Sequence, residues 1–398
     1  MELSRRVQAI KESPTLAVTA RAAKLKAEGR DIIGLGAGEP DFDTPQHIKD
    51  AAKKAIDSGF TKYTPVAGIP GLKKAIVDKF KRENGFDYSV NEVIVGVGGK
   101  QCIFNLALAV LDAGDEVVIP APYWVSYADI GIVAEAVPVI VECGIEQGFK
   151  ITPAQLEAAI TPRTKLFFIN SPSNPTGSVY TLEELKALGE VLLKHPRVLV
   201  ATDDMYEHVN LTGALFVNIL NATPELKSRT IVLNGVSKAY SMTGWRIGYA
   251  AGPAHIIKAM EILQSQSTSN PTSISQVAAQ AALEGDQGCI EPMVRAFRER
   301  HAYVVERFNQ IPGLKCLKAG GAFYAFPDAR EAIARLYQQG KISDSTDLAL
   351  SDYLLESVGV AVVPGSAFGA EGYFRISFAT SMENLRNALD RIEKALDF

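Results

Sequence analysis

Residues 230–250 read TIVLNGVSKAYSMTGWRIGYA. The opening run, Thr230–Leu233, is apolar without polar alternation, as expected of a strand buried on both faces of a parallel sheet. The chain then leaves the strand through small and polar residues and presents Lys238 near the strand's carboxyl end, where open α/β sheets bind ligands. Its small neighbours would let a ligand approach closely. Arg246, further along the same segment, has a planar fork suited to phosphate. Ile247–Ala250 is again strand-like. A single loop lysine is ordinarily a solvated charge, so the flanking pattern carries the weight here.

Five more runs of the same kind lie upstream: Glu92–Val97, Glu116–Ile119, Val137–Val141, Lys165–Asn170 and Val198–Thr202. Helical stretches separate them, such as Leu182–Lys194 with Thr181 as N-cap and Glu184 completing a capping box. The pattern predicts an α/β fold with a mostly parallel seven-stranded sheet covered by helices on both faces. After about Gly285 the pattern changes. Amphipathic helices (Glu291–Gln310, Ser345–Ser357, Met382–Leu396) mix with short strands (Ala322–Phe326, Val360–Val363, Phe374–Phe378), which predicts a smaller α+β domain. A helix over Thr15–Glu28 precedes the first strand. No linker separates the parts, so they are expected to share a broad interface, a common place for a ligand site.

With 398 residues, 47% of them hydrophobic and 22% charged, the chain is long enough for two domains with a sizeable core. The net charge of −4 gives no electrostatic reason to expect nucleic acid or an anionic membrane as partner. The cysteines at 102, 143, 289 and 316 form no CxxC motif and are too few for a disulfide scaffold. The charged segment MELSRRVQAIKES lacks the apolar core of a signal peptide, and no stretch approaches the ~20 apolar residues of a membrane helix. These features predict a soluble, cytoplasmic protein. Dinucleotide, P-loop and zinc-protease motifs are missing and the histidines are scattered singly, so no metal site is expected.

Several residues stand out. Asp203 follows a buried strand; a carboxylate there needs a cationic partner, or else caps a helix. Tyr206 and Trp124 suit either a ligand or interface packing. Asn174, before Pro175, is a turn residue or a hydrogen-bonding group. Gly98-Gly99-Lys100-Gln101 follows a strand and opens a helix over Cys102–Leu111, where glycines would let an anion reach free N–H groups. Lys100 is unusual there, because a helix N-terminus disfavours a cation; it either snorkels to solvent or points to a nearby anion. Arg375, inside an apolar strand, needs either an internal salt bridge or an anionic ligand.

The segment Gly235–Gly248 resembles the pyridoxal-phosphate lysine signature of class I aminotransferases at every constrained position. The likeness extends along the chain in order and spacing. It takes in Gly36-Ala37-Gly38-Glu39-Pro40-Asp41-Phe42, the block from Tyr63-Thr64-Pro65 through Gly68 and Gly71, and Asn174-Pro175-Thr176-Gly177. It continues through Asp203-Asp204-Met205-Tyr206 and Phe374-Arg375-Ile376-Ser377. The resemblance implies a fold-type I enzyme using pyridoxal 5′-phosphate. Lys238 would hold the cofactor as a Schiff base and carry protons, and Asp203 would pair with the pyridine nitrogen. Tyr206 and Asn174 would bond the ring oxygen, and Trp124 would stack on the ring. Gly98, Gly99, Lys100, Ser237 and Arg246 would serve the phosphate, joined by Tyr63 from a second subunit. Gly38, Trp124, Asn174 and Arg375 would hold the substrate.

Specificity is left to other positions. The stretch Ser265–Asn270 lacks the arginine with which the best-known aspartate aminotransferases read a distal carboxylate. The chain is instead similar to a bacterial subgroup of aspartate and prephenate aminotransferases, which implies that Thr15 and Lys100 read that group. Thr15 could equally be an N-cap, or both. Gly235 stands where some relatives have a phosphate-binding serine, and Asp204 replaces a more usual glutamate. The implied reaction moves the amino group of L-aspartate to 2-oxoglutarate in a ping-pong cycle, with prephenate as a further acceptor. An aromatic or broad-range aminotransferase and a C–S lyase of the same fold are the alternatives. A homodimer with shared active sites is implied, with a large domain over 41–289 and a discontinuous small domain from 1–40 and 290–398.

Overall fold

The computed structural model describes residues 3–10 and 12–397. After a two-residue strand, β1 (Ile33–Gly34), come the seven strands of one large sheet: β2 (Val93–Gly96), β3 (Glu116–Ala121), β4 (Val137–Glu142), β5 (Thr164–Asn170), β6 (Leu199–Asp203), β7 (Thr230–Gly235) and β8 (Gly248–Ala251). Their order across the sheet is β2-β8-β7-β6-β5-β3-β4. All neighbours are parallel except β8, which runs antiparallel to both β2 and β7. Every strand except β8 therefore points the same way, and the loops after β2, β3, β5, β6 and β7 open on one edge.

The apolar runs explain the burial. β2, β7 and β8 are buried at every residue, because helices cover both faces. β4 departs from expectation. As an edge strand it leaves Val137 46% and Ile140 39% exposed, although its sequence reads like the others. The helix Leu182–Lys194 forms as read, with Thr181 accepting from the Glu184 N–H and Glu184 reaching back.

Four further short strands make two small sheets. β9 (Tyr324–Ala325), β11 (Val363–Pro364) and β12 (Phe374–Ser377) form an antiparallel trio, while β10 (Val360–Ala361) pairs in parallel with β1. The expected strand Val360–Val363 is thus two strands, since the chain changes sheet at Val362. The expected strand Ala322–Phe326 pairs only over Tyr324–Ala325. The helices Glu291–Gln310 and Met382–Leu396 have the expected bounds; the one expected over Ser345–Ser357 spans Asp347–Val358, capped by Thr346.

Two helix starts differ in ways that bear on function. The helix after β2 begins at Gly99, not Cys102, which places Lys100 in its first turn. The helix expected over Thr15–Glu28 spans Pro14–Ala27 with Ser13 as N-cap, after a short helix Arg5–Ala9, so Thr15 lies inside the first turn and is not the cap. Among the described residues no helix is long and apolar enough to cross a membrane.

Candidate active site

A cavity of about 420 Å³ opens at the carboxyl ends of the parallel strands, between the large sheet and the antiparallel trio. It gathers residues from across the sequence. Thr15, Gly38, Gly99, Lys100, Trp124, Asn174, Asp203, Tyr206, Ser237, Lys238, Arg246 and Arg375 all line it. Gly98 backs Arg246 from behind. Tyr63 lies outside the cavity and is 93% exposed.

Lys238 follows β7 by three residues, and its Nζ donates to the Gly38 carbonyl at 2.5 Å. Burial draws the amine down to about 8, Arg375 and Arg246 draw it the same way, and Glu39 and Asp203 oppose them. The loop carrying it is under backbone strain: Ser241 and Arg246 adopt φ of 52° and 59°, in the left-handed region. The Arg246 guanidinium is fixed by the Thr243 carbonyl at 2.9 Å and lies beside Gly98.

Arg375, on β12, is 2% exposed. It donates to Asn174 Oδ1 at 2.9 Å and to the Gly36 carbonyl at 2.6 Å. The rings of Tyr324 and Phe368 lie 4.4 and 5.0 Å from its guanidinium carbon. Its buried Nε has no partner, and among the described residues no carboxylate pairs with it. No internal salt bridge therefore explains this buried arginine, and an anion entering the cavity could pair with it.

Asp203 is the last residue of β6, and a turn follows it, not a helix to be capped. Its Oδ2 accepts from the Tyr127 hydroxyl at 2.5 Å and its Oδ1 from the Met205 N–H at 3.2 Å. Burial pushes its pKa up, while those bonds and Lys238 work against the rise. A cation brought into the cavity would complete the compensation. The Tyr206 hydroxyl is 2.8 Å from that of Tyr324. The Asn174 N–H is held by Asn170 Oδ1 at 2.8 Å.

At the cavity's other end the helix Gly99–Val110 presents its N-terminus, and its cap residue Gly98 supplies no side-chain acceptor. Lys100 Nζ lies 5.1 Å from the Trp124 ring. Burial and the neighbouring Arg246 both lower the Lys100 pKa. Thus Lys100, Arg246, Lys238 and Arg375 share one cavity whose two lining carboxylates, Asp203 and Glu39, already accept hydrogen bonds. Such a set fits a ligand carrying a phosphate at one end, a basic ring nitrogen over Asp203 and a carboxylate at Arg375.

Sequence reading missed several lining or supporting residues. Tyr324 belongs to a different sheet and stands in no motif. Glu39 accepts from the Thr243 hydroxyl at 2.8 Å, joining two motifs that had been read separately. Tyr127, three residues after Trp124, bonds Asp203 but stands in no motif, and a buried tyrosine gives no sequence signal of its own.

A family model described as aminotransferase class I and II matches residues 30–392. The aspartate/prephenate aminotransferase of Nitrosomonas europaea is 65% identical, with 100% of both chains covered. The aspartate aminotransferase of Geobacillus stearothermophilus is 55% identical over 100% of this chain and 99% of its own. The crystal structure of the aspartate aminotransferase from Rhizobium meliloti matches with a TM-score of 0.94 at 50% identity, covering 100% of this chain and 99% of that one. The Thermus thermophilus aspartate aminotransferase with maleate matches at 0.93 and 44% identity, covering 99% and 100%. Since the family model and these relatives run essentially from end to end, the chain belongs to the class I and II aminotransferases.

Proposed function

We propose that this aminotransferase uses pyridoxal 5′-phosphate to move the amino group of L-aspartate to 2-oxoglutarate, with prephenate as a further acceptor. The observation that carries the reading is one cavity holding both a lysine amine drawn down to about 8 and a buried arginine without a carboxylate. The residues fit the cofactor. Asp203 offers a carboxylate to a pyridinium nitrogen, Tyr206 and Asn174 offer donors to the ring oxygen, and Trp124 offers a face. Gly98, Gly99, Ser237 and Arg246 suit a phosphate. When bound, the cofactor supplies an electron sink for the carbanion at the substrate Cα.

The chain's own groups do the rest. Lys238 would hold the cofactor, and its amine, once freed, would take up and return the proton at the substrate Cα. Arg375 binds the α-carboxylate as a fork, and Asn174, bonded to it, keeps the fork in register. Gly38 leaves room beside the Lys238 amine. Thr15 and Lys100 at the mouth read the distal carboxylate. The names of the Nitrosomonas and Thermus relatives, the latter solved with the dicarboxylate maleate, favour this over an aromatic preference.

The exposed Tyr63 fits a homodimer in which it reaches the partner's phosphate. The two small sheets, built from both ends of the chain, support a large domain of 41–289 and a small one of 1–40 with 290–398. Membership in this family favours the cytoplasm. Lys238→Ala is expected to abolish both the visible absorbance of the reconstituted protein and amino transfer. Lys100→Ala is expected to raise KM for aspartate far more than for alanine; equal effects would assign Lys100 to the phosphate. Keto acid formed without amino transfer would overturn the reaction in favour of elimination.

A further inference from the structure

Tyr324 touches two groups at once. It is fully buried at the start of β9 and lines the cavity. Its ring lies 4.4 Å from the Arg375 guanidinium, and its hydroxyl 2.8 Å from that of Tyr206. A Cβ on Gly38 would come within 3.0 Å of the same hydroxyl, so the position is enclosed on that side too.

Proton bookkeeping decides the direction of the Tyr–Tyr bond once the proposed cofactor is in place, and the inference rests on that reading. A phenol has a single hydrogen to donate and lone pairs to accept. If Tyr206 gives its hydrogen to the cofactor's ring oxygen, it can only accept from Tyr324. We infer that Tyr324 is a positioning residue: it donates to Tyr206 and thereby makes Tyr206 a stronger donor to the ionised ring oxygen. Chained hydrogen bonds polarise one another, and the effect is larger where water is excluded. Both tyrosines are held in the neutral, donating form. Burial raises each phenol; the hydroxyl pair adds to the rise at Tyr206, whereas at Tyr324 Arg375 and that pair work against it, so the direction of the bond rests on the donor count.

The readout is the pKa of the bound cofactor's chromophore, followed by absorbance as pH is varied. The charged and titratable groups facing this part of the cavity are Lys238, Arg375, Asp203, Arg246, Glu39 and Tyr127. None of them is altered by Tyr324→Phe, which keeps the ring against Arg375 and removes only the hydroxyl. Losing the donor should raise the chromophore pKa by about 0.5–1 unit, the size of one net hydrogen bond. KM for aspartate should change less than kcat, because the Arg375 fork and its aromatic neighbour persist.

A double-mutant cycle separates the relay from ordinary packing. If Tyr324 acts through Tyr206, Tyr206→Phe with Tyr324→Phe should give the same titration as Tyr206→Phe alone. Additive shifts, or a Tyr324→Phe titration indistinguishable from the wild type, would overturn the relay. Should Tyr324→Phe fold poorly, Tyr324→Leu and Tyr324→His, compared by the same titration, keep the test open: His, which retains a donor, should lie nearer the wild type, and the reverse order overturns the relay. Wild-type protein that gains no visible absorbance with pyridoxal phosphate would overturn the cofactor reading and the relay together. A wild-type chromophore with no Tyr324 effect overturns the relay alone.

Discussion

The amine of Lys238 has to be neutral to attack a carbonyl, and its surroundings favour that form. Burial is the largest influence, and Arg375 adds to it; together they bring the amine from the ordinary 10.5 to about 8. Incorporation of pyridoxal phosphate into the apoprotein should therefore accelerate as pH rises and level off above about 8. Stopped-flow absorbance reads this directly, and a rate still climbing toward 10.5 would mean that the site does not depress the amine. Asp203 and Arg375 were legible in the sequence because each is a charged residue at the end of, or inside, an apolar strand, where physics demands a partner; Lys238 was legible through its flanking pattern, since a lone loop lysine is ordinarily solvated. Tyr324 and Tyr127 were not, because a buried tyrosine is ordinary core and only the folded geometry shows what its hydroxyl meets. Thr15 was legible as a polar group near a helix start, but its place within the first turn depended on whether Ser13 or Thr15 supplied the cap.

Helix and strand ends, more than their middles, build this site. The turn after β2 shows how tight the fit is. Gly98 has φ of 79°, and a Cβ there would lie 2.2 Å from an Arg246 nitrogen. Gly98→Ala would meet two penalties, a positive-φ extended backbone confined essentially to glycine, costing about 1–3 kcal/mol, and displacement of the Arg246 fork. Cofactor retention should weaken by about tenfold or more, the equivalent of ~1.4 kcal/mol, and phosphate should protect the apoprotein less. Equilibrium dialysis of the variant against pyridoxal phosphate checks this; unchanged affinity would show that Arg246 and the helix N-terminus do not act on the phosphate together. The large sheet was readable at this scale because continuous apolar runs mark doubly covered strands. β4 shows the limit, since nothing in Val137–Val141 distinguishes an edge from a centre. The small sheets show another: the sequence located strands at Ala322–Phe326, Val360–Val363 and Phe374–Phe378, but not the split of Val360–Val363 between two sheets, because pairing over two residues carries too little periodicity to show it.

Across the whole molecule, one charged network ties the helices outside the sheet to the floor of the cavity. Lys79, at the end of the helix Pro70–Lys79, is fully buried and pairs with Glu207 and, at 3.5 Å, with Glu83. Glu207 also accepts from Asn84 at 3.0 Å and from Asn234 at 2.8 Å, and so joins the Asp203–Tyr206 turn to the end of β7 below Lys238. Glu83, Glu207 and His208 would be spaced to hold a metal ion, but the Lys79 ammonium supplies the positive charge there. In the sequence Lys79 looks like any lysine in a last helical turn, because the partners that bury it lie far along the chain. Lys79→Met would leave Glu207 charged and buried without its cation, a loss of about 3–5 kcal/mol. The sign with pH follows from Glu83. Burial would raise its carboxyl, but His208 and Lys79 outweigh burial and hold it at about 2, below the ordinary 4.5. Its contribution is therefore present above 4.5 and lost only as pH falls toward 2. Without Lys79 that carboxyl and the buried Glu207 bind protons more readily, so the variant should lose less stability on acidification than the wild type, and the gap between the two should narrow below 4.5. Urea midpoints of the apoproteins from neutral to acid pH test both claims: the variant's curve should lie lower at neutral pH, fall less in acid and approach the wild type's there. Overlapping curves would mean that the buried lysine stabilises neither the fold nor the floor of the site.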